Sequence, residues 1–195
     1  MDLATYTYAL LLAIAPLKGP MTWGGVTETV EERRERFASF ARDYAAVVEE
    51  RKDLGMSQRD AVRWLVAIAR HEGALARAVD LGVGKWSRGD HGNSFCSLQI
   101  KTGRTGKTKE GWTGEELLAD RRKCARVGLR LMLGSIGLCK SNGPSGWLSG
   151  YAAGNCVTGT GAAREIYVIA EKLGHAPLKK VELPSPMEST VPVTP

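Results

Sequence analysis

None of the four cysteines of this 195-residue chain (Cys96, Cys124, Cys139 and Cys156) forms a C-x-x-C pair. A zinc site therefore lacks its usual ligand spacing. No apolar run reaches the length of a membrane-spanning helix, since the best candidate, residues 8–16 (YALLLAIAP), is too short. The glycines match neither a phosphate-binding loop nor a dinucleotide fingerprint. No nucleic-acid-binding motif and no internal repeat is present. A metal, a cofactor, a nucleic-acid partner and an integral membrane span are accordingly not expected. The run at 8–16 has the character of a signal-peptide core. It is preceded by Asp2 rather than by Lys or Arg, and Pro16 disfavours cleavage after Ala15. Residues 1–25 thus read as an apolar N-terminal segment, serving as a signal or a linker.

Hydrophobic residues make up 43% of the chain, enough for a core, and the length suits one domain with appendages. The net charge of +6 favours anionic partners, such as an acidic cell-wall polymer, although charge of this size also serves plain solubility. Four widely spaced cysteines are compatible with two disulfides in an oxidising compartment, and the sequence leaves three pairings open.

Residues 28–53 predict a helix with Phe37, Phe40, Ala41, Tyr44 and Val48 on one face. Ser57 and Asp60 open a second helix that runs to about Glu72 and Gly73. Residues 73–112 form a basic, glycine-punctuated loop with room for short strands or a hairpin. Thr113 and Glu116 open a helix through about Leu133, broken by Gly134 and Gly137. Shorter helices follow at 147–153 and 162–173. The tail from 175 to 195 is proline-rich and predicted to be disordered. The expected fold is mainly α, a helical single domain over 26–174 with an irregular loop or small hairpin beside a cleft.

Glu72 is the residue that points to chemistry. Val62, Leu65, Val66 and Ala69 recur at i, i+3, i+4, i+7, and Ile68 and Ala69 put Glu72 on the continuation of that apolar face. Desolvation penalises the charged form of a carboxylate, which is how enzymes keep a carboxylic acid protonated near neutral pH for proton donation. Two further segments accompany it in order, Gly92-Asn93-Ser94-Phe95-Cys96-Ser97-Leu98-Gln99-Ile100 and Gly150-Tyr151-Ala152-Ala153-Gly154-Asn155-Cys156. With Ala67-Ile68-Ala69-Arg70-His71-Glu72-Gly73, this set resembles the lysozyme-like superfamily. More specifically, it resembles the lytic transglycosylase domains of the soluble murein transglycosylase and goose-type lysozyme kind. The likeness covers about residues 57–173. It departs from the family pattern at Cys96 and Ser97, which replace Gly-Leu, and at Ala152, which replaces asparagine.

The resemblance implies an α+β lysozyme-like fold in which Glu72 is the acid/base and Ser94, Gln99 and Tyr151 bind the sugar. The substrate would be peptidoglycan glycan strands, in the periplasm or outside the cell, with a bacterial or phage source. A monomer is expected. One glutamate would protonate the MurNAc–GlcNAc bond and then help the muramic O6 hydroxyl attack C1, leaving 1,6-anhydro ends. A hydrolytic muramidase on the same fold is the alternative, for which Asp90 or Asp80 would serve as second carboxylate. A non-catalytic wall-binding or assembly protein is a further alternative. The family fold also brings the second and third motifs together, which implies a Cys96–Cys156 bond and leaves Cys124 with Cys139. In one unbroken helix the latter two would stand roughly 22 Å apart, so this pairing requires the chain to reverse near Gly134–Gly137. Trp86 and Trp112 could stack on sugars or pack in the core. Lys101, Arg104, Lys107 and Lys109 read as a solvated basic loop, and His71 as a surface residue a quarter-turn from Glu72.

Overall fold

Local signals set most helix ends. In the computed structural model, which describes residues 1–185, α1 (Leu3–Ile14) starts where the Asp2 carboxylate accepts the Thr5 backbone N–H. Strands β1 (Met21–Trp23) and β2 (Val26–Glu28) form a hairpin about Gly24 and Gly25, both at positive φ. Such a turn suits glycine because it has no Cβ to clash. Thr29 and Glu32 then close a reciprocal capping box at the head of α2 (Val30–Glu49). Ser57 caps α3 (Gln58–Gly73) through the Asp60 N–H. After the short α4 (Arg77–Leu81) comes a second antiparallel hairpin, β3 (Ser94–Phe95) with β4 (Ile100–Lys101), in which Ser94 faces Lys101. The chain finishes with α5 (Gly114–Ala119), α6 (Arg121–Leu138), α7 (Ser149–Ala153) and α8 (Thr160–Gly174).

The molecule is a mainly helical single domain with two small antiparallel sheets among the described residues. Its centre is α3. Leu65, Val66, Ala67, Ile68 and Ala69 are all fully buried, so the helix is enclosed on every side rather than along one stripe. It packs against α8, α1, α2 and α6. The apolar run at 8–16 lies largely within α1, whose Leu10 and Leu11 are fully buried against this core. None of the described helices is long and apolar enough to cross a membrane.

Two polar links hold the elements in register. Arg36 on α2 grips Glu28 with two hydrogen bonds of 2.6 and 2.8 Å and donates a third to the Leu75 carbonyl, just past the end of α3. Arg121, at the head of α6, joins Asp80 on α4 (2.6 Å) to Asp43 on α2 (3.1 Å). The Asp80 side chain is only 5% exposed. It is therefore a structural ion-pair partner and not the second carboxylate that the sequence allowed. Burial opposes the charge on the Arg121 guanidinium, but Asp80 and Asp43 outweigh it and hold the group protonated.

The structure corrects two further expectations. The helix expected from 113 to 133 is two helices, because Asp120 leaves the helical region and instead caps α6 with the Arg122 and Lys123 N–H groups. In turn α6 continues through Gly134 and Gly137 to Leu138. A helical glycine costs about 1 kcal/mol, and the burial of Val127, Leu129 and Met132 outweighs it. That continuity changes the disulfides. Cys124 and Cys139 sit at opposite ends of one helix and cannot meet. The bonds are Cys96–Cys124, with Cα atoms 6.4 Å apart, and Cys139–Cys156, at 5.3 Å. Beyond α8, residues 175–185 form no helix or strand, yet Leu178, Val181 and Leu183 rest on the core. The remainder of the tail expected to be disordered, 186–195, lies outside the described residues.

Candidate active site

Glu72 lies in the last turn of α3. The chain leaves the helix through Ala74 and Leu75, both left-handed (φ 53° and 56°), whose N–H groups return to the carbonyls of Arg70 and Ala69. Gly73 permits the exit. A Cβ there would stand 2.7 Å from Val79 Cγ1 of α4. The side chain of Glu72 keeps 22% of its exposure, so the carboxylate is neither dry nor freely solvated.

It opens into a cleft of about 550 Å³. Glu72 of α3 and Leu131 of α6 line it, together with the 89–101 segment, through Gly89, Asp90, Ser94, Gln99, Ile100 and Lys101. The third contributor is α7, through Gly150, Tyr151, Ala152 and Ala153, with Gly154 beyond it. Glu72, Ser94, Gln99, Tyr151 and Asp90 thus line one cavity, although they are spread over eighty residues of sequence.

The polar groups of the cleft are tightly committed. Gln99, itself left-handed at φ 47°, accepts the Gly89 N–H at 2.7 Å through Oε1. Its Nε2 donates to the carbonyls of Ser87 and Cys96 at 3.2 and 3.1 Å. Its amide therefore staples the loop to itself, and what it presents to the cleft is the edge of that staple. Ser94 is buried and donates to Asp90 Oδ2 at 3.1 Å, while Lys101 Nζ stands 3.3 Å from the same oxygen. Tyr151 donates its hydroxyl to the Leu98 carbonyl at 2.7 Å, and its N–H to Ser135 Oγ. Burial and then the nearby charge of Glu72 raise the Tyr151 hydroxyl well above the ordinary tyrosine range, so it remains protonated.

Seven non-glycine residues among those described have positive φ, and all fall between Ala74 and Gln99. Left-handed backbone is costly for residues with a side chain and gathers where surrounding structure imposes it, often at functional sites. Here it follows the segment from the end of α3 to the far wall of the cleft.

His71 departs from expectation. Its Nδ1 lies 3.3 Å from Glu72 Oε1, and its Nε2 lies 3.1 Å from Glu165 Oε2 on α8. The side chain is 20% exposed and bridges the two carboxylates. The hydrogen bond to Glu72 raises its pKa above the usual imidazole value, partly opposed by burial and aided by Glu165. Spacing within α3 gave no sign of this, because the second partner comes from a helix ninety residues later. Of the other residues singled out by sequence, Lys101 is in the cleft, whereas Arg104, Lys107 and Lys109 are exposed and outside its lining. Trp86 is 79% exposed and also outside the lining. Trp112 packs against the core with Lys123 over its ring. Compared with protein-family models, curated proteins and solved structures, the chain matches none of them.

Proposed function

We propose that this protein is an enzyme of the lysozyme-like kind that cleaves the glycan strands of peptidoglycan, with Glu72 as acid/base. One observation carries the reading. Three separate segments, each resembling a part of the lytic transglycosylase pattern, contribute Glu72, Ser94 with Gln99, and Tyr151 to a single cleft. The carboxylate stands at a half-dry helix end with a neutral, half-buried tyrosine hydroxyl nearby.

The preferred reaction is non-hydrolytic. Glu72 protonates the oxygen of the MurNAc–GlcNAc bond, that bond breaks, and the carboxylate then takes the proton of the muramic O6 hydroxyl as O6 bonds to C1. The proton returns to Glu72 and no water is consumed. The loop staple made by Gln99 shapes the wall that the sugar would meet. Lys101, paired with Asp90 at the cleft edge, offers a cation to the lactyl and peptide carboxylates of murein. The two disulfides fit an oxidising compartment, and with this substrate that is the cell envelope.

Asp90 gives the hydrolytic reading its support, because it lines the same cleft as Glu72. A digest of purified murein separates the two by product mass: anhydro ends for transglycosylation, reducing ends for hydrolysis. Removal of a general acid typically costs about 10²–10⁴ in rate. Glu72→Gln is therefore expected to fold normally and to lose glycan cleavage by at least about a hundredfold. Wild-type release of fragments by Glu72→Gln would refute the assignment. Murein binding by the wild-type protein without any release would instead favour a wall-binding role.

A further inference from the structure

His71 is unused by the mechanism above, yet it is held more tightly than a surface histidine needs to be. Its ring meets a carboxylate at both nitrogens, Glu72 on its own helix at 3.3 Å and, across to α8, Glu165 at 3.1 Å, the latter side chain being 73% exposed. A neutral imidazole has one donor and one acceptor. With Nε2–H given to the Glu165 carboxylate, the Nδ1 lone pair is turned to Glu72 Oε1. A hydrogen bond at that contact then requires a second proton between Nδ1 and Oε1. We infer that His71 is a positioning residue that keeps a proton in reserve for Glu72, the imidazole and the carboxylate sharing one proton while Glu165 fixes the ring. This rests on the acid/base role proposed for Glu72.

The proton count closes. With one proton on the pair, imidazolium with carboxylate and imidazole with carboxylic acid interconvert by transfer along a single hydrogen bond. The acid form delivers its proton to the leaving oxygen, and the pair regains one from the attacking hydroxyl. A pair that binds its proton jointly titrates as a unit, with values that belong to neither group alone. Both carboxylates favour the protonated ring and oppose the effect of its burial. The pair therefore keeps its shared proton to a higher pH than an unpartnered ring would, and loss of that proton sets the alkaline limb.

Other groups on the elements packed against α3 are committed elsewhere. Arg121 of α6 pairs with both Asp43 of α2 and Asp80 of α4. The helix α1 presents the apolar Leu10 and Leu11. Tyr151 of α7 stands beside Glu72 with its hydroxyl proton given to Leu98.

Two measurements test the inference on the full chain. The first is the pH dependence of kcat/KM on soluble glycan strands for wild type, His71→Gln and Glu165→Gln. The alkaline limb is expected to move toward acid by about one pH unit or more in His71→Gln, and by less in the same direction in Glu165→Gln. The second is an NMR titration of the imidazoles, which needs no substrate. The chain has three histidines, and the signal missing in His71→Gln identifies this one. Its midpoint should fall in Glu72→Gln and in Glu165→Gln. An alkaline limb unchanged in His71→Gln, or a His71 midpoint unchanged in Glu72→Gln, overturns the shared proton. Glycan cleavage retained by Glu72→Gln would instead remove the catalytic role of Glu72 and the reserve with it, a failure told apart by whether the imidazole midpoint still moves. Should His71→Gln not fold, Glu165→Gln and the titration of Glu72→Gln decide the matter alone.

Discussion

Replacing Cys96 and Cys124 together by alanine removes the bond that ties the cleft wall to the head of α6. The two residues are 28 apart in sequence. In the chain-entropy account, closing a loop of that length restricts the unfolded state by about 3.5 kcal/mol. For a protein of this size, 1 kcal/mol corresponds to about 2–4 °C in Tm. The double variant should therefore melt roughly 10 °C below wild type. Both cysteines are buried, so the space left by the sulfurs adds to the loss. The Cys139–Cys156 pair spans 17 residues and closes a loop that does not overlap the first. Its removal should cost about 3 kcal/mol, and the two losses should add. Only the first pair is expected to impair the cleft, because Gln99 Nε2 hydrogen-bonds the Cys96 carbonyl. The assay is thermal denaturation followed by circular dichroism, with mass mapping of unreduced peptides from wild type. A Cys96–Cys156 or Cys124–Cys139 peptide, or free thiols, would refute the pairing. A melting point within about 2 °C of wild type would refute the loop-closure argument.

Arg121→Met keeps the bulk of the side chain but strands the buried Asp80 carboxylate, and breaking such a pair costs about 3–5 kcal/mol. Equilibrium urea denaturation should show this, with partial recovery on adding Asp80→Asn; a loss below about 1 kcal/mol would contradict the network. Gly128→Val drives a side chain into the fully buried Leu98, whose carbonyl receives the Tyr151 hydroxyl. Overpacking of this kind costs about 1–3 kcal/mol, and stability equal to wild type in the same denaturation would count against the packing described. His71 has a folded pKa raised above 6.5, so its contribution to stability is fully present below that value and is lost as pH rises through the folded one. The stability gap between wild type and His71→Gln should accordingly narrow on going from acid to alkaline pH, and a gap that widens would reverse the sign.

Helix starts were the most legible part of the sequence, because a cap is a local chemical event. Ser57 and Thr113 each bond the N–H three residues on, where the spacing predicted. The periodicity of α3 gave the right helix but only one face of its burial, since the pattern records apolar residues and not how many neighbours enclose them. Asp120 was read as part of a helix because its break depends on backbone angles that no spacing reveals. Gly134 and Gly137 misled in the other direction: glycine weakens a helix locally, while tertiary packing decided the outcome. The disulfides followed that error, because pairing is a property of three-dimensional proximity. The meeting of Ser94, Gln99 and Tyr151 in one cleft with Glu72 was expected from the resemblance and not from any periodicity. The contact of His71 with Glu165 was invisible, as it joins two helices with no shared motif.

The enclosure of α3 decides which parts of the cleft can move. A helix wedged among four others cannot tilt or slide without displacing its neighbours, so the carboxylate at its end behaves as a fixed post. The facing sides are of another kind, a five-residue helix and a loop held by side-chain hydrogen bonds and a sulfur bridge rather than by a surround of helices. Any widening that lets a polymer thread through, and any tightening around it, must come from those thinner parts. On the proposed function, a glycan strand would therefore be accommodated by the rim, with Glu72 staying in place.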